Sequence, residues 1–446
     1  MSTSSTGTST STIKPFKISV PESQLETLRQ KLHLATFPDE LEHDGDGENG
    51  NASADWSMGA PLAEIKRLTA YWKESFDWRK TERELNERLP QFVTTVPVAG
   101  FGELEIHFVY QKSKATGKKT IPLLFLHGWP GSFIEVMKLL PLLTQEDGDE
   151  SQPTFDVVAP SLPNFGFSEG VKKACLFLCS LGFKGFGLVQ YAEAMHAVMT
   201  TLGYPEYVLQ GGDWGAIIAR AMAKLYPDHV KAAHLNFIPQ VPPYPWRNPI
   251  LFLQSLLTLP FSRKDRAKLA VTQDYLAEGS GYMKQQDTRP QTLGYGLHDS
   301  PVGLLAWIYE KLHAWTDSYP WTDDEILSWV CIYLFSRAGP AASLRIYYES
   351  THPSKSLPGA MSRTDVLSSY APSQVKFAVA HFPREILILP MIWNRAIGNV
   401  VRETDLEKGG HFAAWEVPEI LARDLKAFLG RDGGQAYGVV TGRDGY

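Results

Sequence analysis

Cysteine is scarce: three in 446 residues, Cys175, Cys179 and Cys331. Three thiols cannot build a disulfide framework, and their spacing matches no zinc site, so no metal is expected and a reducing, cytoplasmic setting fits best. Long apolar runs are missing too. None approaches the roughly 18 residues of a membrane span, which excludes an integral anchor. The opening MSTSSTGTSTSTIK lacks a hydrophobic signal core and reads as a disordered Ser/Thr tail over residues 1–14. Without a secretory signal, the Asn51-Ala52-Ser53 sequon should stay unmodified. Basic excess is also absent: 43 Lys and Arg against 49 Asp and Glu leave a net charge of −6, so nucleic acid is not an expected partner. A content of 43% hydrophobic and 21% charged residues remains, which is that of a globular chain with ample core.

Residues 15–112 read as a first unit. PESQLETLRQKL starts a helix at proline and lines up Leu25, Leu28 and Leu32. PLAEIKRLTAYWKESFDW does the same with Ile65, Leu68 and Trp72, and QFVTTV and LEIHFVY read as paired strands. Between the helices lies an acidic Gly/Asn-rich loop without the EF-hand register. From 113 to 446 the texture changes. TIPLLFLHGWPG, FDVVAPSLPNFGFS, YVLQGGD and VKFAVAHFPRE are apolar runs that end in turns, with helical stretches between most of them. That alternation predicts a doubly wound, mostly parallel α/β sheet with its site at the carboxyl ends of the strands. The alternation breaks between about 240 and 350, where prolines and aromatic-rich helical patterns predict a helical lid. The apolar stretch from Cys175 to Phe183 fits none of this, and its role stays open.

Gly211-Gly212-Asp213-Trp214-Gly215 follows a strand and precedes a helix, the small-x-nucleophile-x-small form of a nucleophile elbow. Its apex is Asp213, not serine. Upstream, LHGWPGS leaves a strand in the loop that supplies one oxyanion donor in such folds; the residue after the nucleophile supplies the other. The expected donors are the main-chain amides of Trp129 and Trp214, with His127 bracing the loop. Downstream, EKGGHFAAWE presents His411, last in chain order, as general base. The acid that orients it is expected at Glu385, just past a strand, although Glu403, Asp405 and Glu407 lie nearer in sequence. A serine attacking a saturated carbon would leave an ether that water does not readily cleave. A carboxylate leaves an ester, whose carbonyl is open to hydrolysis. Asp213 therefore points to an epoxide or an alkyl halide. Tyrosine hydroxyls suit the first leaving group and tryptophan N–H groups the second; with 18 tyrosines and 12 tryptophans, counting decides nothing.

Taken together, HGWPGSF, QGGDWG and EKGGHFAAWE resemble the three active-site segments of α/β-hydrolase-fold epoxide hydrolases, in the microsomal-type branch with its soluble fungal members. PFKISVPESQLETLRQKL and SFDWRKTERELNERLPQF resemble that branch's N-terminal meander domain. The resemblance implies a cofactor-independent enzyme that turns a small-molecule epoxide into a vicinal diol. It implies proton-donating tyrosines at Tyr282, in GSGYMKQQDTRP, and at Tyr347 rather than Tyr348, in SLRIYYESTHP. It also implies a cis Trp129–Pro130 bond and is compatible with a homodimer. The rivals are a haloalkane or haloacid dehalogenase using the same aspartate, and a non-catalytic relative of the same fold.

Overall fold

The computed structural model describes residues 12–41, 55–115, 117–144, 152–172, 185–353 and 359–446. The Cys175–Phe183 stretch, most of the Ser/Thr tail and the Asn51 sequon lie outside the described residues.

Nine strands form one sheet: β1 (Lys14–Phe16), β2 (Gln91–Val98), β3 (Gly102–Gln111), β4 (Ile121–Leu126), β5 (Phe155–Pro160), β6 (Tyr207–Gly211), β7 (Val230–Leu235), β8 (Lys376–His381) and β9 (Asn399–Asp405). Their spatial order is β1-β2-β3-β5-β4-β6-β7-β8-β9. The first three pair antiparallel, β3 joins β5 antiparallel, and β5 through β9 run parallel. Every residue of β4, β5 and β6 is buried. That is why these strands read as continuous apolar runs: helices or lid cover both of their faces. From β4 the chain crosses to β5 on one side and then to β6 on the other. The switch opens a crevice at the carboxyl ends of β4 and β6, where α/β sheets bind ligands.

Helices Glu22–His33 and Leu62–Glu74 bury Leu25, Leu28, Leu32 and Ile65, Leu68, Trp72, the stripes their 3.6-residue period implies. Both pack on Pro301–Ala314, one of the helices that fill the chain between β7 and β8. Those helices form a lid over the crevice. Its contacts with the loops below are directional. Trp329 Nε1 donates to Pro130 O at 2.5 Å and Tyr333 Oη to Gly131 O at 2.6 Å, so helix Asp323–Leu334 grips the loop after β4. No described helix is long and apolar enough to cross a membrane.

Candidate active site

The turn after β6 forces Asp213 to φ +48°, a left-handed conformation that a non-glycine residue adopts only where its surroundings dictate it. The neighbouring glycines are steric necessities. A Cβ on Gly215 would sit 2.0 Å from Leu126 O, and one on Gly128 would sit 2.3 Å from Asp213 Cβ. Asp213 opens the helix Asp213–Leu225, where the free N–H groups favour an anion. Trp129 N–H donates to Asp213 Oδ1 at 2.7 Å, and the Trp214 N–H also bonds the carboxylate. The two expected donors thus converge on the carboxyl group of Asp213. Burial raises the Asp213 pKa, and these two N–H groups with His411 oppose the rise. The Trp129–Pro130 bond is cis.

His411 sits on a loop held from two sides. Its N–H donates to Trp315 O of the lid at 2.8 Å. Glu416 accepts from Gly410 N–H, Phe412 N–H and, through its other oxygen, Asp317 N–H, which ties loop to lid. The ring's Nε2 lies 3.7 Å from Asp213 Oδ2, and its Nδ1 lies 2.5 Å from Glu385 Oε1. Glu385 is buried just past β8, with Arg384 bridged to Gly410. The nearer acids face elsewhere: Asp405 binds Lys264 and Lys268, and Glu403 binds Arg395. Burial alone would depress His411, but Glu385 and then Asp213 raise it to about 9. A cavity of about 20 Å³, room for a single water, borders both Asp213 and His411.

His127 braces its loop. Nδ1–H donates to Gly128 O at 2.9 Å, Nε2 accepts from Leu162 N–H, and burial lowers its pKa to about 4. Tyr282 and Tyr347 meet near Asp213 from separate lid helices, ring centroids 6.1 Å apart. Tyr282 stacks on Trp129, while Tyr347 stands edge-on to Trp129 and Trp214. Tyr348 points away and stacks on His352. Burial pushes both inward phenols well above the ordinary value, so both keep their protons at neutral pH.

Comparison with known proteins decides the family. Residues 13–136 match the profile of the epoxide hydrolase N terminus, and residues 121–274 that of the alpha/beta hydrolase fold. Epoxide hydrolase 1 of Sus scrofa is 32% identical over 94% of this chain and 88% of its own length. The chain belongs to the epoxide hydrolase family. Among solved structures, Aspergillus niger epoxide hydrolase is 30% identical with a TM-score of 0.74, covering 94% of this chain and 96% of the other. Juvenile hormone epoxide hydrolase of Bombyx mori is 29% identical with a TM-score of 0.77, covering 93% of each.

In this family member the site includes groups that no motif flagged. Tyr275 Oη lies 2.8 Å from Tyr282 Oη, extending the phenol pair outward. Glu135 is buried beside the cavity, accepts from Ser132 N–H, and is raised to about 8 by burial, so it is neutral at pH 7. The Ser-x-x-Glu capping box at 132–135 was its one sequence signal. Lys311 is buried with Nζ 4.9 Å from the Tyr282 ring centre and is lowered by burial to about 7. Only the lid fold brings it there.

Proposed function

We propose that the chain hydrolyses epoxides to vicinal diols through an ester on Asp213. One observation carries the reading: both oxyanion-type N–H donors point at the carboxyl group of Asp213 itself. In a serine esterase such donors serve the substrate's carbonyl. Here they suit an intermediate whose tetrahedral carbon belongs to the protein.

Asp213 Oδ attacks an oxirane carbon, and the C–O bond breaks as Tyr282 or Tyr347 protonates the departing oxygen. The product is a hydroxyalkyl ester and a phenolate. His411, its tautomer set by Glu385, then takes a proton from water as the oxygen adds to the ester carbonyl. Trp129 and Trp214 N–H hold the oxyanion. Collapse releases the diol and restores the carboxylate, and the remaining proton returns to the phenolate. Ester formation also prepares the base. The charge of Asp213 helps to raise resting His411 to about 9. Esterification removes that charge, so the imidazole sheds its proton more readily when it must act.

Two buried phenols beside Asp213 favour an epoxide over a halide, which needs no proton on departure. His411→Gln should therefore accumulate an adduct on the Asp213 peptide, visible by mass spectrometry after exposure to styrene oxide. Asp213→Ala should form neither adduct nor diol. Full diol formation by either variant overturns the proposal. We further propose that the unit over 15–112 and the lid over about 240–350 are separate modules of this hydrolase, with a homodimer as one assembly it can form.

A further inference from the structure

The lid carries an apolar helix that the protein leaves uncovered. Pro249–Thr258, PILFLQSLLT, buries only Ser255. Ile250 is 71% exposed, Leu253 57% and Leu257 63%, at the i, i+3, i+7 spacing of one helical face, and Leu256 adds to it. Exposed aromatics stand at both ends: Trp246 (76%), stacked on Tyr244, before the helix and Phe261 (84%) after it. Soluble monomers seldom show so much adjacent apolar surface without a partner for it.

The charge around this face identifies that partner. Between residues 244 and 271 there are five basic residues, Arg247, Arg263, Lys264, Arg266 and Lys268, against the single acid Asp265, in a chain of net charge −6. Lys264 and Lys268 share Asp405, but Arg247, Arg263 and Arg266 are exposed and form no salt bridge among the described residues, Arg247 feeling Asp365 only at longer range. A second copy of the chain is a poor fit. A two-fold interface would set this patch against itself and bring the arginines of both copies together. At ten residues the helix is about 15 Å long, half a bilayer's hydrocarbon thickness, so it can lie in a membrane surface but not cross it. An apolar face, end aromatics and flanking arginines are the attributes of an interfacial helix.

We propose that this lid face docks on the surface of an anionic phospholipid bilayer, with Ile250, Leu253 and Leu257 in the acyl boundary and Arg247, Arg263 and Arg266 among the headgroups. The proposal does not rest on the catalytic reading. It places the lid at the source of apolar small molecules dissolved in membranes.

Co-sedimentation with vesicles tests it, using phosphatidylcholine alone or with about 30% phosphatidylserine. The full chain should pellet with the anionic vesicles and bind roughly tenfold less to neutral ones or at high salt. Leu253→Asp combined with Leu257→Asp should abolish pelleting. Arg263→Ser with Arg266→Ser should weaken it and flatten its salt dependence, and this pair, fully on the surface, keeps the test decisive if the aspartates disturb folding. Failure of the unaltered chain to pellet with either vesicle overturns the proposal. So does light scattering showing twice 49.8 kDa, with Leu257→Asp reducing it to one copy and no vesicle binding, which would assign the face to a second chain.

Discussion

Asp213 spends its backbone in a strained φ of +48° and its carboxylate in two main-chain hydrogen bonds before any substrate arrives. The strain, of order 1–3 kcal/mol, is held by close packing around the elbow, where a Cβ on Gly128, Gly212 or Gly215 would lie 2.3, 2.8 or 2.0 Å from its nearest neighbour. The pairing with His411 makes the chemistry sensitive to pH in a defined direction. In the proposed mechanism ester decay in a single turnover requires neutral His411, so its rate should rise with pH and level off. The midpoint should lie below the resting value of about 9, since the ester carries no charge. A pH-independent decay contradicts the role of His411. For stability the sign is opposite: a histidine raised in the folded state contributes fully below about 6.5 and loses its contribution as pH climbs through about 9. Each of Tyr282→Phe and Tyr347→Phe should lower the alkylation rate about a hundredfold while leaving the fold intact. Stopped-flow fluorescence of the twelve-tryptophan chain reads that step. Unchanged alkylation in both variants removes the phenols from the reaction.

At the scale of elements, the site is three loops at the carboxyl end of one sheet, closed by a lid that reaches into each. The elbow tolerates no extra atom where it passes β4. Gly215→Ala would place a methyl 2.0 Å from Leu126 O, and the expected result is a loss of about 3 kcal/mol or failure to fold, read by thermal unfolding. Glu416→Ala takes the acceptor from three N–H groups of the His411 loop and its lid contact. It should lower kcat far more than it changes KM; an unchanged kcat would show that this clamp does not position His411. These lid contacts mark the limit of what could be read from the chain. Asp213, Trp129 and His411 were legible because each sits in a short motif whose glycines announce the turn. Glu385 was legible from its place after a strand and before the histidine. Tyr275, Lys311 and Trp315 were not, because their neighbours are residues distant in sequence, and a lone tyrosine or lysine on a lid helix looks like any other; Glu135 showed only as half of a capping box, which carries no hint of the cavity beside it. The sheet alternation was plain for β4, β5 and β6, whose buried runs carry a strong apolar signal. The joining of β1, β2 and β3 to the same sheet depends on pairing between β3 and β5, which no local pattern encodes.

Across the whole molecule, a second buried cluster sits outside the active site. Asp424 accepts from Arg402 Nε and Nη2 and from Thr404 Oγ1, and lies 3.0 Å from His234 Nε2. It joins the helix Pro418–Leu429 to β7 and β9. Burial would raise its pKa, but His234 and Arg402 hold it well below the usual carboxylate range. A carboxyl depressed in this way contributes stability above its unfolded value near 3.8 and loses it as the pH falls through the folded value. Asp424→Asn should cost about 3 kcal/mol at neutral pH, because it takes the carboxylate from fully buried His234 and half-buried Arg402. That loss should shrink in strong acid. Urea unfolding at several pH values measures it, and a deficit that persists undiminished in acid would deny the pairing its part in stability. The same molecule presents an uncovered apolar helix on the lid, so the surface and the site are separable by mutation.

The account rests on the carboxylate of Asp213 forming a bond to substrate carbon, and a single turnover in ¹⁸O-labelled water tests that most directly. With enzyme in excess over styrene oxide, the diol of the first turnover should be unlabelled, its new oxygen supplied by Asp213, and the label should appear on the protein. Labelled diol in that first turnover would mean that water attacks the epoxide itself, and would contradict the ester route.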